Sequence, residues 1–227
     1  FFFNKEPGLA LPLIALQYHE VKIIVKYSDS ALFDDEHGGT PTVDCYCDYI
    51  FLDSEERRRM AAQSHEYLIE QVQHQQGVLK GGREEIRLVF NHPVKELLLV
   101  ANPSSEPFGF ISEGESGVFD PEEAEAITLK LNGNARASGR PASYFTKMQP
   151  SMYHTRTPTD PVHVMSFALF PEKMQPSGTC NFSRIDNAQL QLKLKDTITA
   201  GTSYSVYAVN YNVLKIVSGM GGLAYSN

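Results

Sequence analysis

The sequence predicts an all-β chain, an eight-stranded antiparallel jelly-roll sandwich with two short helices in its connections. Three observations predict it. Apolar residues alternate with period two along most of the chain. Clusters of Gly, Pro, Ser, Asn and acidic residues separate the alternating runs at regular intervals, with no linker between two cores, no internal repeat and no low-complexity tract. Only two stretches carry helix-start signals. At 227 residues the chain is long enough for a hydrophobic core without a disulfide framework, and eight or nine strands fill two facing sheets.

Residues 18–27 place His19, Val21, Ile23, Val25 and Tyr27 on one face and Glu20, Lys22, Ile24 and Lys26 on the other. Residues 43–52 alternate likewise, with Val43, Cys45, Cys47, Tyr49 and Phe51 against Asp44, Tyr46, Asp48, Ile50 and Leu52. The first helix follows, because Asp53 or Ser54 can cap its free amides and Glu55 and Glu56 suit its positive end; it runs through Ala62. Strands are expected at residues 66–73, 86–90, 95–101, 126–132 and 162–170. The second helix is expected at residues 141–148, opened by Pro141, whose missing N–H costs nothing there. In residues 188–195, Ala188, Leu190, Leu192 and Leu194 point inward, and Gln189, Gln191, Lys193 and Lys195 outward. Ser203–Val217 is expected as the last strand. Loops are expected at residues 34–41, 75–83, 103–125 and 132–161.

The chain then runs into a glycine-rich apolar tail carrying Met220, Leu223, Ala224 and Tyr225. An apolar terminus must be tied down against protein, so residues 219–227 are expected to be ordered on the fold or on a neighbour. Ser218-Gly-Met-Gly-Gly222 has no helix behind it to bind phosphate; its glycines serve a tight turn or a close approach.

The net charge of −7 and the lack of a basic stripe argue against sequence-reading of nucleic acid. No apolar run approaches the roughly 20 residues that span a bilayer. The opening Phe1-Phe-Phe-Asn-Lys5 lacks an initiator Met and a charged leader, so the chain is read as starting inside a longer polypeptide. Cys45, Cys47 and Cys180 are too few for a secreted scaffold and are expected as reduced thiols in a cytoplasm-like compartment. On a strand Cys45 and Cys47 would have Cα atoms roughly 6.5–7 Å apart, the outer limit for a bridge; core packing is the expected role.

Little in the sequence points to catalysis, and no catalytic, cofactor-binding or metal-binding residue is assigned. His19, His37, His65, His74, His92, His154 and His163 include no His-x-His pair and no i,i+4 pair on a helix. Asp44 and Asp48 would lie roughly 13 Å apart along a strand, too far to grip one ion. Asp34-Asp-Glu36 reads as a solvated acidic loop, and Cys45-x-Cys47 lacks the second pair a zinc site needs. No Ser or Cys sits on a Gly-x-Ser-x-Gly elbow. Asn181-Phe-Ser183 matches a glycosylation acceptor that a non-secreted chain would not use. Arg57-Arg-Arg59 could meet an acidic partner such as residues 113–125, or membrane headgroups, and equally reads as a solvated helix face.

Several stretches converge on one family. They are Leu11-Pro-Leu-Ile-Ala-Leu-Gln-Tyr-His-Glu-Val-Lys-Ile23, Asp48-Tyr-Ile-Phe-Leu-Asp-Ser-Glu-Glu-Arg-Arg-Arg-Met60, His65-Glu-Tyr-Leu-Ile-Glu-Gln71, Phe90-Asn-His-Pro93, Ser143-Tyr-Phe145, Pro176-Ser-Gly-Thr-Cys-Asn-Phe-Ser-Arg-Ile-Asp-Asn187 and the closing residues 210–227. Together, and in colinear order over nearly the whole chain, they resemble the major capsid proteins of large icosahedral double-stranded DNA viruses, the phycodnavirus and iridovirus group. The resemblance implies the second half of a double jelly roll. Residues 1–10 would be the entry from a preceding roll, residues 11–227 the C-terminal jelly-roll domain, and Asn227 the natural C-terminus. It implies a structural, non-enzymatic protein without cofactors, in trimeric pseudo-hexagonal capsomers that tile an icosahedral shell. Its partners would be its own N-terminal jelly roll, the other copies of a homotrimer, neighbouring capsomers and minor capsid proteins, with an internal membrane nearby and no sequence-specific nucleic-acid binding. Its location would be the virion, assembled in the host-cell cytoplasm. Loops 75–83 and 132–161 would face outward, the first too short to project far. Multivalent contacts of modest strength suit such a lattice. The alternative is a jelly-roll carbohydrate-binding module, for which Tyr144, Phe145 and Tyr153 would have to be exposed for stacking.

Overall fold

In a computed structural model the described residues are 1–26, 43–102, 124–159, 162–194 and 203–226. The chain divides into two compact units, Phe1–Tyr67 with Leu214–Ala224, and Leu68–Val213 with Tyr225–Asn227.

The second unit holds the sandwich. The strands are β1 (His65–Val78), β2 (Arg83–Leu88), β3 (Pro93–Asn102), β4 (Ala124–Leu131), β5 (Asn134–Arg140), β6 (His163–Ser166), β7 (Cys180–Asn181), β8 (Ala188–Leu194) and β9 (Ser203–Val217), of which the first residues of β1 and the last of β9 belong to the first unit, as does β10 (Met220–Leu223) in the tail. One sheet has the order β1-β9-β3-β6, with β7 beside β3 and β10 beside β9; the other is β2-β8-β4-β5. The ladders β2–β8, β3–β6, β3–β9, β4–β5 and β4–β8 are antiparallel, and the chain passes from one sheet to the other between β1 and β2, β2 and β3, β3 and β4, β5 and β6, β7 and β8, and β8 and β9, as in a jelly roll.

The alternation read from the sequence builds the core. Ala188, Leu190, Leu192 and Leu194 of β8 are buried while Lys193 is exposed; Lys195 lies outside the described residues. They share one buried core with Val94, Leu97 and Leu99 of β3, Val206 and Ala208 of β9, and Phe90, Phe145 and Phe182. Each valine, leucine or phenylalanine side chain taken from water contributes about 1.5–3 kcal/mol.

Two hairpins each add a strand that the sequence reading lacks, the second at the glycine turn it expected. Asn132 and Gly133 both have positive φ (49° and 79°) and join Leu131 to its partner Asn134. This is the turn in which Asn-Gly is strongly preferred, because it matches strand twist. The strand it opens is small, polar and exposed, which is why residues 132–161 read as loop. Ser218 and Gly219 (φ 52° and 81°) make the same kind of turn between Val217 and Met220. Ser203–Val217 is therefore followed by one more short strand, β10.

The tail is ordered, and its glycines serve fit. A Cβ on Gly219 would stand 2.5 Å from the Tyr18 ring, and one on Gly221 3.0 Å from Leu16. The Tyr18 N–H donates to the Gly219 carbonyl at 2.9 Å, and the Gly221 N–H donates to His19 Nδ1 at 2.8 Å. Replacing Gly219 with Ala should therefore loosen the hairpin. A left-handed L-residue costs about 1–2 kcal/mol, so the Gly221 amide should exchange hydrogen about tenfold faster or more. Gly222→Ala is the control, since a Cβ there meets nothing within 4 Å; equal exchange in both variants would contradict this account.

Helix α1 (Ser54–Ala62) forms as expected, and Asp53 Oδ1 accepts the Glu56 N–H at 2.8 Å. The second helix runs past the expected 148. A wide turn, Tyr144–Met148, leads into α2 (Gln149–Tyr153), and the Gln149 N–H reaches back five residues to the Tyr144 carbonyl. Pro150 lacks an N–H and would press on the carbonyl four residues earlier, which a widened turn relieves.

Residues 18–26 and 43–52 are assigned to no strand, contrary to expectation; Tyr27 lies outside the described residues. Their alternation is intact, but no ladder partner stands beside them among the described residues. Cys45 and Cys47, expected in a core, are exposed with sulfurs 3.8 Å apart, and the neighbouring Cys45 thiol pushes the Cys47 thiol up.

Candidate functional site

The residues that could carry chemistry are dispersed. Among the described residues no three His, Cys, Asp or Glu side chains gather around a metal position, and no helix is long and apolar enough to cross a membrane. His19 holds the tail, His65 Nε2 is 2.7 Å from the Met60 carbonyl, and His74 stacks on Tyr207 at 4.6 Å. His92 is buried in a left-handed turn, its N–H donating to Ser183 Oγ at 2.8 Å. His163 is fully buried on β6, and desolvation lowers its pKa from 6.5 to about 4. Asp44 and Asp48 are exposed. His37 and Asp34-Asp-Glu36 lie outside the described residues, as does nearly all of 113–125.

The aromatic platform that a sugar site would need is absent at the expected residues. Phe145 is buried in the core, and Tyr144 and Tyr153 are half-buried. The Tyr144 ring meets Phe145 edge-on at 5.1 Å, and its hydroxyl accepts from Gln149 Nε2 at 3.0 Å. Asn181 caps the turn Phe182–Arg184 by accepting the Ser183 N–H at 3.1 Å, and Ser183 Oγ is taken by His92. Arg58 makes an exposed ion pair with Glu55 at 3.1 Å, of the kind that contributes little.

One device at the sandwich edge joins β1 to the chain running out of β2. The Gln73 amide donates to the Asn91 carbonyl at 2.6 Å and accepts the Asn91 N–H at 3.0 Å. Gln75 does the same with the Arg87 carbonyl (2.7 Å) and the Val89 N–H (3.0 Å). Two side-chain amides thus stand in for ladder bonds, at a place where bare backbone groups would otherwise be left unpaired.

A charged cluster on the outer face of the first sheet also went unread. Val94 pairs with Asn210 and Glu96 with Val209, so Lys95 is an extra residue in β3. The bulge breaks the alternation. Val94, Leu97 and Leu99 stay in the core, and Lys95 and Glu96 both face away from it. The Lys95 carbonyl accepts the N–H groups of Phe167 (2.9 Å) and Ala168 (3.2 Å). Its ammonium donates to Glu70 and to the Pro171 carbonyl (2.6 Å) and lies 5.6 Å over the Tyr211 ring. Glu96 approaches His154 at 3.0 Å, and His154 approaches Glu172 at 3.2 Å. Burial pushes the Glu96 carboxyl up, with His154 and then Lys95 pulling it back; the Thr155 N–H holds the Glu172 carboxyl low. The available signal was two consecutive charges inside the apolar run 94–101, the mark of a bulge.

Exposed apolar side chains gather in two segments of the first unit. In the first unit Val21, Ile23, Ile24, Val25, Tyr49 and Ile50 are exposed, and Tyr46 and Phe51 are 91% and 93% exposed. Extended, alternating and unpaired segments of this composition are templates for strand addition.

Residues 56–222 match a family described as large eukaryotic DNA virus major capsid protein, and residues 1–53 match the family described as major capsid protein N-terminus. The chain is 46% identical over 251 residues to the major capsid protein of Pyramimonas orientalis virus, covering 100% of this chain and 60% of the relative. It is 38% identical over 285 residues to that of Paramecium bursaria Chlorella virus 1, covering 100% and 65%. A chain in the quasi-atomic structure of the PBCV-1 virus capsid superposes with a TM-score of 0.81 at 37% identity, over 100% of this chain and 69% of that one. The chain thus spans 60–65% of the length of these two curated relatives.

Proposed function

The chain belongs to the large eukaryotic DNA virus major capsid protein family, and from that premise we propose that it is the C-terminal jelly-roll half of a capsid building block. The building block is structural and non-enzymatic. It forms trimeric capsomers of pseudo-hexagonal outline that tile an icosahedral shell, with neighbouring capsomers and minor capsid proteins as partners and a membrane beneath. It is assembled in the host cytoplasm and resides in the virion.

The observation that carries this reading is the sandwich of a six-stranded sheet, built on β1-β9-β3-β6, and a four-stranded sheet, β2-β8-β4-β5, in the part of the chain that matches the family. The exposed segments 18–26 and 43–52 fall in the part matching the family's N-terminus. They are the segments that would become strands when a preceding jelly roll pairs and covers them. On this reading the junction between the two rolls lies at α1, and the whole of residues 1–53, beyond the expected entry segment 1–10, serves the preceding roll. The buried Phe145 and half-buried Tyr144 and Tyr153 remove the support for a carbohydrate-binding module.

Light scattering on the full-length protein tests the proposal. A mass three times that of the monomer is expected, and a monomer at every concentration would overturn it.

A further inference from the structure

The strands β2, β8 and β4 lie side by side in the second sheet, and their registers line up into rows. Arg83 stands opposite Lys193, and Lys193 opposite Ala126. The next row is Glu85, Gln191 and Thr128, and the third is Arg87, Gln189 and Lys130. Ile86, Leu88, Leu190, Leu192, Ile127 and Leu129, which alternate with them, are buried in the core. The three rows therefore occupy the face of the sheet turned away from the core.

That face has a charge of the wrong sign for its chain. Arg83, Arg87, Lys130 and Lys193 stand on it with the single carboxylate Glu85, whereas the whole chain has a formal net charge of −7. The acidic excess lies elsewhere on the molecule. Among the described residues no carboxylate forms an ion pair with Arg83, Arg87 or Lys130. Arg83 directly opposite Lys193 is a like-charge placement that destabilises a sheet. Beside these two cations, the first two rows border a depression of about 300 Å³ with Ala126 in its lining, room for a side chain from outside.

We propose that this face of β2, β8 and β4 docks an acidic surface of a second copy of the chain, head to tail, within the trimer. The inference rests on the trimer reading and adds which face makes the contact. Charge complementarity selects the occupant, because every copy offers the acidic excess that this face lacks. Two cationic faces repel, so the face cannot meet itself across a twofold axis. It meets a different surface, and such a contact closes into a ring when the rotation allows. A membrane is disfavoured as occupant, since Ala126 is the one apolar side chain in the three rows and nothing larger is there to enter a bilayer.

The double variant Arg83→Glu with Arg87→Glu, made in the full-length protein, tests the proposal. Both side chains are exposed, and the first change puts a carboxylate opposite Lys193, so circular dichroism should show the fold kept. Light scattering should show the trimer at least about tenfold weaker than the wild type. In an equal mixture of isotope-labelled and unlabelled wild-type protein, carbodiimide should join Lys193 or Lys130 to a carboxylate of the other isotope. A double variant that trimerises like the wild type would overturn the proposal and leave the trimer reading standing; if it has also stopped sedimenting with vesicles of anionic lipid, the face belongs to a membrane. Crosslinks confined to one isotope would place the partner in the same copy and overturn it too. A wild type that stays monomeric would remove the trimer reading and this contact with it.

Discussion

Replacing Glu70 with Leu should cost about 3–5 kcal/mol of folding stability. The Lys95 and Glu70 side chains are 3% and 9% exposed, so water cannot take over when the carboxylate is removed. The ammonium would keep the Pro171 carbonyl and the Tyr211 ring but lose its countercharge. The double variant Glu70→Leu with Lys95→Met removes both charges and keeps the apolar volume. It should recover most of the loss, because a buried ion pair contributes little net stability over a well-packed apolar pair. Urea denaturation of the four proteins measures this as a coupling free energy. A loss under about 1 kcal/mol for Glu70→Leu alone would contradict a buried, mutually dependent pair.

Acid should destabilise the sandwich through His163. Its folded pKa of about 4 lies below the ordinary 6.5 because burial disfavours the imidazolium. A depressed folded pKa gives stability that is fully present above the unfolded value and is lost as the pH falls from 6.5 toward 4. The difference corresponds to about 3 kcal/mol. His163→Gln has no proton to take up. The drop in unfolding free energy between pH 7 and pH 4 should therefore be about 3 kcal/mol smaller in the variant than in the wild type. Groups common to both proteins contribute equally to the drop, so the difference between the two proteins isolates His163. Equal drops would show that His163 is not held neutral.

The parts of this fold that sequence made legible are those in which pattern and packing agree. β8 alternates between core and surface as its residues demand, β9 has the expected bounds, and Asp53 caps α1. The failures have specific causes. β5 is a small polar edge strand, recognisable only from the Asn132-Gly133 turn before it. The helix at residues 141–148 runs on to Tyr153 because a widened turn absorbs Pro150. Residues 18–26 and 43–52 carry strand pattern without a strand, since alternation specifies a face but not the partner that pairs with it. The Lys95–Glu96 bulge and the Gln73 and Gln75 amides depend on distant neighbours, 76 residues away for Lys95 and Pro171 and 137 for Gln73 and Asn210, which no local window contains. The tail shows both sides. Its order followed from its apolar composition, whereas its partners Leu16, Tyr18 and His19 came only with the structure.

A cryo-EM reconstruction of assembled full-length protein tests the central proposal most directly. It should show three copies about a threefold axis, with residues 18–26 and 43–52 hydrogen-bonded to strands from the part of the protein that precedes this chain. Isolated copies, or those two segments left unpaired in the assembly, would contradict it.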